Sequence, residues 1–363
     1  MSDQEVIQQK QQRLAELFPR AELLPFAECG QPAHSRIRAK LAISGSVLNP
    51  SIGFFDQART LVPIDDCPLH HSLITSWIPS LRRFIEQAQL TPYDPETNRG
   101  ELKFVVLTAS PSHQKLMVQW VLRSKESVDR IRRAWKQVSN EQDSSVAVMS
   151  INIQPLHSSQ IQGEVDLPVS ENTALSVRYG DLEMSYESGA FIQTNYEIAS
   201  RLYETAGQWL TEIAPTGVLD LYCGSGAFAL TAARNGVKSF GIDSSETSTR
   251  CARNAATAAG LDAEFECLSL QKISPEYGTD LKNKWSFDTV VCNPPRRGLD
   301  RPGLELIRRL DVPHIVYSSC DPETLQRDCW RLQDRWEAVR IQGFDMFPFT
   351  PHMEALCLLR RNR

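Results

Sequence analysis

The sequence predicts an α/β protein: a doubly wound, largely parallel sheet preceded by an α+β region. From about residue 193, short apolar runs typical of buried strands alternate with segments of helical periodicity. The first 185 residues contain β-rich runs without that strict alternation. With 363 residues the chain is long enough for roughly two domains. We therefore predict domains at 1–185 and 186–363.

The first half begins with a helical pattern over residues 4–18. A strand over 36–43 follows, in which Arg36, Arg38 and Lys40 alternate with apolar residues. Because side chains alternate across a strand, the three basic residues share one face. Further strands are predicted at 103–108, 116–122 and 146–153, a charged helix at 125–138, and a loop or connection over 156–174.

The second half alternates strands with helices. Strands are predicted at 218–222, 239–243, 264–268, 287–293 and 314–319, and helices at 194–213, 246–259, 302–310 and 322–333. The last two strands, 338–344 and 352–359, follow each other directly, which favours a terminal hairpin.

Composition excludes several classes of protein. Hydrophobic residues make up 41% and charged residues 23%, which is typical of a globular chain. No apolar stretch approaches the roughly 20 residues of a membrane span, and the polar N-terminus shows no secretory signal. The nine cysteines are an odd number without a Cys-x-x-Cys pair, so we expect reduced thiols and a cytoplasmic location. The net charge of −5 gives no overall basic signal for nucleic acid.

A glycine turn marks a predicted cofactor site. Gly224-Ser225-Gly226 follows the strand at 218–222, at the carboxyl end where open α/β sheets bind cofactors. Asp243 ends the next strand, nineteen residues after Gly224, where a carboxylate can accept bonds from ribose hydroxyls. Nicotinamide and S-adenosylmethionine sites share this pattern. Asp220, an acid before the turn, is more typical of adenosylmethionine enzymes.

A second motif follows the fourth strand of the second half. Asn293-Pro294-Pro295 can hold a planar nitrogenous ring through a side-chain amide and backbone carbonyls. Amine methyltransferases place an aromatic residue after such a Pro-Pro pair. Here Arg296 occupies that position, which argues against methylation of an exocyclic amine.

Two further residues indicate covalent chemistry. Cys320 follows the fifth strand and is a candidate nucleophile. Glu354 interrupts an otherwise apolar strand, where burial would raise its pKa and suit it to proton abstraction. Asp345 precedes that strand and is either a residue that orients the site or a structural turn acid. Together these residues fit cysteine addition to C6 of a pyrimidine followed by methylation at C5, a route open to both cytosine and uracil.

Residues 36–363 resemble the bacterial RNA (uracil-5-)-methyltransferases. The resemblance implies a class I S-adenosylmethionine-dependent methyltransferase domain of Rossmann-like fold behind an RNA-binding α+β region. The motifs that carry it are FIQTN (191–195), DLYCGSGAF (220–228), GID (241–243), NPPRRG (293–298), YSSCDPETL (317–325) and FDMFPFTPHME (344–354).

The resemblance also implies roles for individual residues. Cys320 would be the nucleophile, and Glu354 the proton acceptor. The residues expected to bind S-adenosylmethionine are Gln193, Tyr222, Asp243 and Asn293, together with Gly224 of the turn. Asp243 stands where Glu is commoner in the family, a change of one methylene that still reaches a ribose.

Within the family, DDCPLH (65–70) and SINIQPLH (150–157) resemble the branch that methylates uridine 747 of 23S rRNA. Three alternatives stay open: a tRNA uridine as substrate, exocyclic-amine methylation, and a catalytically silent RNA-binding factor. The ribosomal branch normally holds an iron–sulfur cluster with four cysteines, but here Cys67 matches one of them and Cys29 is the other candidate. Because four thiolates are usually required, we predict no cluster and treat Cys67 as a relic ligand.

RNA binding requires local rather than overall positive charge. The basic strand face of Arg36, Arg38 and Lys40 is one candidate contact surface, and Arg296 and Arg297 beside the predicted active site are another. The expected macromolecular partner is therefore 23S rRNA or, alternatively, tRNA. No membrane or protein partner is expected.

Overall fold

The structure is a computed structural model that describes residues 3–56, 60–140, 145–156, 160–274 and 276–362. The chain folds into two compact units. The large unit consists of residues 1–32, 178–185 and 190–363, and the small unit of 33–177 and 186–189.

The large unit is built on a sheet to which eight strands of the described chain contribute. Their spatial order is β1 (Glu22–Leu23), β16 (Trp336–Phe344), β17 (Glu354–Arg361), β15 (His314–Ser319), β14 (Thr289–Cys292), β11 (Val218–Leu221), β12 (Ser239–Asp243) and β13 (Ala263–Cys267). The strands from β15 to β13 are parallel, whereas β17 runs antiparallel between β15 and β16. All residues of β11 and β14 are buried, as expected for central parallel strands covered on both faces.

Helices connect and cover these strands. The described helices of the large unit are α1 (Asp3–Leu17), α4 (Tyr196–Ile213), α5 (Ala227–Arg234), α6 (Glu246–Ala259), α7 (Tyr277–Lys284), α8 (Arg301–Leu310) and α9 (Pro322–Leu332). Two of these helices are capped at their N-termini by side chains at the carboxyl edge of the sheet. Asp300 accepts a hydrogen bond from the Gly303 amide, and Asp321 accepts one from the Thr324 amide. These caps fix the chain direction just beyond the strand ends.

The small unit contains a second sheet, with seven strands among the described residues. In spatial order they are β4 (Leu61–Pro63), β3 (Pro50–Phe55), β2 (Arg38–Gly45), β5 (Leu102–Ser110), β6 (Lys115–Leu122), β7 (Val146–Ile153) and β8 (Val165–Pro168). Its helices are α2 (Ser72–Gln87) and α3 (Val128–Asn140). The strands β9 (Ala174–Tyr179) and β10 (Leu182–Glu187) pair with each other, and their residues are divided between the two units.

The structure confirms the predicted α/β class, the doubly wound parallel sheet and the terminal hairpin of β16 and β17. Several elements differ from the predictions, among them the following three. Residues 1–32, assigned to the N-terminal domain from sequence, belong to the large unit, because the apolar face of α1 joins its core through Ile7 and Leu14. The predicted loop over 156–174 contains β8. Helix α2 was missed, and it encloses Pro79, a residue that normally ends helices.

Candidate active site at the carboxyl edge of the sheet

Four parallel strands end together at one edge of the large sheet. Leu221 at the end of β11 pairs with Ile242 of β12 and with Cys292 of β14, and Cys292 pairs with Tyr317 of β15. The loops that follow these strands therefore leave the sheet side by side. They contain Gly224, Asn293 and Cys320, so the topology brings together residues that are far apart in sequence.

The glycine turn after β11 has the backbone that a close-fitting ligand requires. Gly224 and Gly226 have φ of 53° and 85°, in the left-handed region that favours glycine. A Cβ built on Gly224 would meet no heavy atom within 4 Å, whereas one on Gly226 would lie 2.8 Å from Ala252 and Phe265. The second glycine thus permits close packing of α5, and the first borders open space.

Asp220 presents an unsatisfied acceptor beneath this turn. Its side chain is fully buried, and its Oδ2 accepts a 3.0 Å hydrogen bond from the Ala229 amide. Its Oδ1 is buried as well and makes no hydrogen bond within the described chain. Burial raises the pKa of Asp220 to about 8. A buried acceptor of this kind favours a ligand that brings its own donor.

Asp243 lies next to the turn, as the sequence predicts. Its Oδ2 accepts a 3.0 Å bond from the Gly224 amide, and its Oδ1 accepts a 2.8 Å bond from the Ser245 amide. The hydroxyl of Tyr222 donates a 2.8 Å bond to Asp300 Oδ1, which ties the turn to the start of α8. These contacts hold the rim of the predicted cofactor site in one arrangement.

Gln193 and Asn293, the other predicted cofactor ligands, also belong to the large unit. Gln193 is buried just before α4. Asn293 is half-buried, and its backbone N–H donates a 3.4 Å hydrogen bond to the carbonyl of Leu221.

Cys320 and Glu354 adjoin the last residue pair of a β ladder. Ser319 of β15 pairs with Ala355 of the antiparallel β17, so Cys320 directly follows one member of this pair and Glu354 directly precedes the other. Glu354 is 1% exposed, and its Oε1 accepts a 2.6 Å hydrogen bond from Ser318 Oγ. Burial raises its pKa to about 7, against the opposing effect of Ser318. A carboxyl group with this pKa can exchange protons near neutral pH.

The Cys320 thiol is half-buried. Burial raises its pKa to about 11, and the negative charge of Glu354 adds to this rise. The Arg296 guanidinium acts in the opposite direction and favours the thiolate. The Nε of Arg296 also lies 3.5 Å from Asp321 Oδ2.

A cavity of about 270 Å³ opens beside the thiol. It is lined by Arg13, Arg296, Cys320, Asp321, Pro322, Pro351 and His352. The two arginines make it suitable for an anionic substrate.

The loop that carries Asn293 and Arg296 is held by Asp328, a residue that was not predicted from the sequence. Asp328 of α9 is fully buried, and its Oδ2 accepts hydrogen bonds from the Leu299 amide at 2.6 Å and from Tyr317 Oη at 2.9 Å. Arg327 contacts Asp328 Oδ1 and donates a 2.7 Å bond to the carbonyl of Arg297. The sequence signal for Asp328 was an acidic residue on the buried face of a predicted helix.

The predicted basic strand face lies in the small unit. Ile37 and Ala39 are buried between the basic residues, but only Arg38 and Lys40 belong to β2, whereas Arg36 precedes it in an isolated bridge with His70. Lys40 is exposed, whereas Arg36 and Arg38 are half-buried. Desolvation lowers the pKa of Arg38 and of Lys40.

Cys67, the proposed relic cluster ligand, is a buried free thiol in the small unit. Within the described ranges, no group of three or more His, Cys, Asp or Glu side chains is placed to hold a metal ion. The absence of an iron–sulfur cluster stays a prediction. In the same part of the chain, no helix is long and apolar enough to cross a membrane.

Comparison with known proteins identifies the family. A family model described as tRNA (Uracil-5-)-methyltransferase matches residues 2–362. The chain belongs to this family. Its members catalyse methylation of RNA uracil, so this uracil-5-methyltransferase is an enzyme with S-adenosylmethionine as cofactor.

Curated relatives and a solved structure match nearly the whole chain. The uracil-5-methyltransferase is 35% identical over 362 residues to the "23S rRNA (uracil(747)-C(5))-methyltransferase RlmC" of Proteus mirabilis, covering 98% of this chain and 93% of that protein. It is 36% identical over 358 residues to the protein of the same name from Pectobacterium atrosepticum, covering 97% and 92%. The Pyrococcus abyssi tRNA (uracil-54, C5)-methyltransferase, crystallised with S-adenosyl-L-homocysteine, superposes with a TM-score of 0.79 at 26% identity, over 99% of this chain and 84% of that one.

The glycine turn fits S-adenosylmethionine. The buried Oδ1 of Asp220 offers an acceptor without a donor, and the cofactor carries an amino group. The open space at Gly224 leaves room for a ligand against the backbone. These observations agree with the fold class and the cofactor predicted from the sequence.

Proposed function

We propose that this uracil-5-methyltransferase methylates C5 of a uridine in 23S rRNA, of the uridine 747 type, through a covalent bond between Cys320 and C6 of the uracil. The observation that carries the chemical proposal is that a thiol and a buried carboxyl group adjoin the same last pair of the β15–β17 ladder, where the charge of Glu354 acts on Cys320. The proposed target is supported by the curated relatives, whose names specify uracil 747 of 23S rRNA.

The proposed reaction begins at Cys320. Its thiolate adds to C6, and the electron pair of the C5–C6 double bond moves to C5 and the adjacent carbonyl. S-Adenosylmethionine, when bound, would supply the methyl group that C5 accepts and would leave as S-adenosylhomocysteine. The carboxylate of Glu354 then removes the proton from C5, the double bond forms again, and the thiolate of Cys320 leaves.

The surroundings of both groups suit these roles. Because Glu354 has a pKa of about 7, it is a much stronger base than an exposed carboxylate and is still substantially ionised at neutral pH. The thiol must lose a proton before it attacks, and Arg296 is the neighbouring cation that favours this.

We assign cofactor binding to Gln193, Tyr222, Gly224, Asp243 and Asn293. In this assignment Asp243 receives the ribose hydroxyls, and the Gly224 backbone allows the cofactor to approach closely.

We assign RNA binding to two groups of basic residues. Arg36, Arg38 and Lys40 supply charge on the small unit, and Arg296 and Arg297 supply it beside the thiol. Since a uridine within folded RNA must be unstacked to reach the cysteine, a firm hold on the flanking backbone is required. A ribosomal RNA substrate also favours the cytoplasmic location expected from the cysteine content.

The proposed target is tested by methyl transfer to RNA transcripts. We expect the enzyme to form 5-methyluridine in a 23S rRNA fragment containing uridine 747, and not in the same fragment with that uridine replaced by cytidine. Methylation of tRNA transcripts instead would favour the tRNA alternative, and a methylated exocyclic amine would exclude the C5 chemistry. RNA binding without turnover would favour a catalytically silent RNA-binding factor.

A further inference from the structure

One face of helix α1 carries the basic side chains of Lys10 and Arg13 as well as apolar residues. Lys10, Arg13, Leu14 and Leu17 recur at three- and four-residue spacing and therefore lie on one face of the helix. Leu14 is fully buried in the core. The carbonyl of Leu17 accepts a 2.8 Å hydrogen bond from Gln326 of α9, the helix that begins beside Cys320.

A buried ion pair fixes this helix to the loop that leads to Glu354. Lys10 Nζ lies 2.6 Å from Asp345 Oδ1, and both side chains are 1% exposed. The same Nζ donates a 3.1 Å bond to the carbonyl of Phe347. Because a buried charged hydrogen bond tolerates little movement, α1 and this loop are held in a fixed relation.

Arg13 lies one helical turn beyond Lys10 and reaches the cavity beside the thiol. Its Nη1 donates a 3.2 Å bond to the carbonyl of Pro351, and its guanidinium forms an ion pair with Glu323 in the first turn of α9. The side chain is 38% exposed, so solvent and ligands can reach it. Arg13 and Cys320 both line the cavity.

We propose that Arg13 binds a backbone phosphate of the RNA next to the target uridine. The proposal rests on the function proposed above, because a uridine attacked by Cys320 brings its flanking phosphates to this cavity. A planar guanidinium can bind a phosphate through two hydrogen bonds. Glu323 holds Arg13 in place before RNA binds and competes with the phosphate for it. Asp321 forms the corresponding ion pair with Arg296, and both also line the cavity.

The test measures RNA affinity against salt concentration. A fluorescently labelled 23S rRNA fragment and a tRNA transcript are titrated with wild-type enzyme and with Arg13→Ala, Arg13→Lys and Arg20→Ala. Each lost phosphate contact reduces the slope of log affinity against log salt by about 0.7 to 1. We expect this reduction in Arg13→Ala, with affinity about five- to tenfold lower at roughly 0.1 M salt.

The matched variants separate phosphate binding from a structural effect. Arg13→Lys should keep the wild-type slope because it keeps the charge, and Arg20→Ala changes an exposed arginine just beyond α1 and should change nothing. Glu323→Gln should bind RNA more tightly than wild type, and this gain should vanish when Arg13 is already alanine. An unchanged slope in Arg13→Ala, or an equal gain from Glu323→Gln in both backgrounds, would overturn the proposal.

These measurements need no turnover, so they are independent of the proposed reaction. If neither RNA is methylated by the wild-type enzyme, the proposed function fails. The difference in slope between wild type and Arg13→Ala still decides whether Arg13 binds backbone phosphate.

Discussion

The hydroxyl of Ser318 donates a 2.6 Å hydrogen bond to the carboxyl group of Glu354, from the neighbouring strand of the large sheet. Both side chains are almost completely buried. This bond favours the ionised carboxylate, whereas burial opposes it, and the two effects leave the pKa of Glu354 at about 7. Burial therefore has the larger effect on the pKa of the proposed base, and one hydroxyl group moderates it.

Removal of that hydroxyl should move the pH profile of methylation. In Ser318→Ala the carboxylate loses its donor, so the pKa of Glu354 should rise by about one further unit. Since the ionised form removes the proton, the acidic limb of kcat should shift to higher pH. Ser318→Thr, which keeps the hydroxyl, should retain the wild-type limb. If the acidic limb of the kcat profile does not shift in Ser318→Ala, the Ser318 hydroxyl does not affect the pKa of Glu354 in the reaction.

Glu354→Gln should lose activity and gain stability at alkaline pH. Folding raises the pKa of Glu354 from 4.5 to about 7, so the folded state holds more protons than the unfolded state between these values. The free energy of unfolding of the wild-type enzyme should therefore fall as pH rises through this window. That of Glu354→Gln should not fall for this reason. We expect a gain of up to roughly 3 kcal/mol above pH 7, shrinking towards pH 4.5, in urea unfolding curves. Equal stability at pH 8 would contradict the assignment of a buried carboxylate.

The Arg296 guanidinium should control the reactivity of the thiol. Because it favours the Cys320 thiolate, Arg296→Ala should raise the thiol pKa and slow alkylation by iodoacetamide at pH 8. Arg297→Ala is the matched control and should alkylate at the wild-type rate. Mass spectrometry of the Cys320 peptide measures both rates, and equal rates in the two variants would remove Arg296 from this role.

Asp328 should be a large contributor to stability. Its carboxylate is fully buried and accepts bonds from Leu299 and Tyr317, so Asp328→Ala should cost about 3–5 kcal/mol by leaving two buried donors without an acceptor. Asp334→Ala breaks the more exposed ion pair with Arg308 and should cost at most about 1 kcal/mol. Urea unfolding of both variants checks the difference, and similar losses would mean that burial at Asp328 has little effect.

The sequence placed Glu354 inside a strand over 352–359, whereas β17 begins with this residue. It did predict the sheet, the glycine turn and the position of Cys320 at the carboxyl edge. It did so because each parallel strand is a short apolar run and each functional residue directly follows or interrupts such a run. The register that brings Glu354 and Cys320 to the same end of one ladder was not predictable, since it depends on antiparallel pairing between strands that are separated by α9 and β16.

The partners of α1 were not predictable either. Lys10 occurs among glutamines in a polar helix, and nothing near it in sequence indicates a buried partner 335 residues away. Asp345 was recognised as a residue that could orient the site, but its partner was not. Long-range ion pairs leave no local pattern, whereas amphipathic periodicity and turn residues do.

The central claim is tested most directly by RNA in which the target uridine is replaced by 5-fluorouridine. Fluorine at C5 cannot be removed as a proton, so the proposed reaction should stop with the RNA bound to Cys320. With S-adenosylmethionine present, we expect a denaturation-resistant complex from the wild-type enzyme, with the RNA mapped to Cys320 by mass spectrometry, and no complex from Cys320→Ala. A complex that forms equally well with Cys320→Ala, or normal methylation by that variant, would contradict the proposed mechanism.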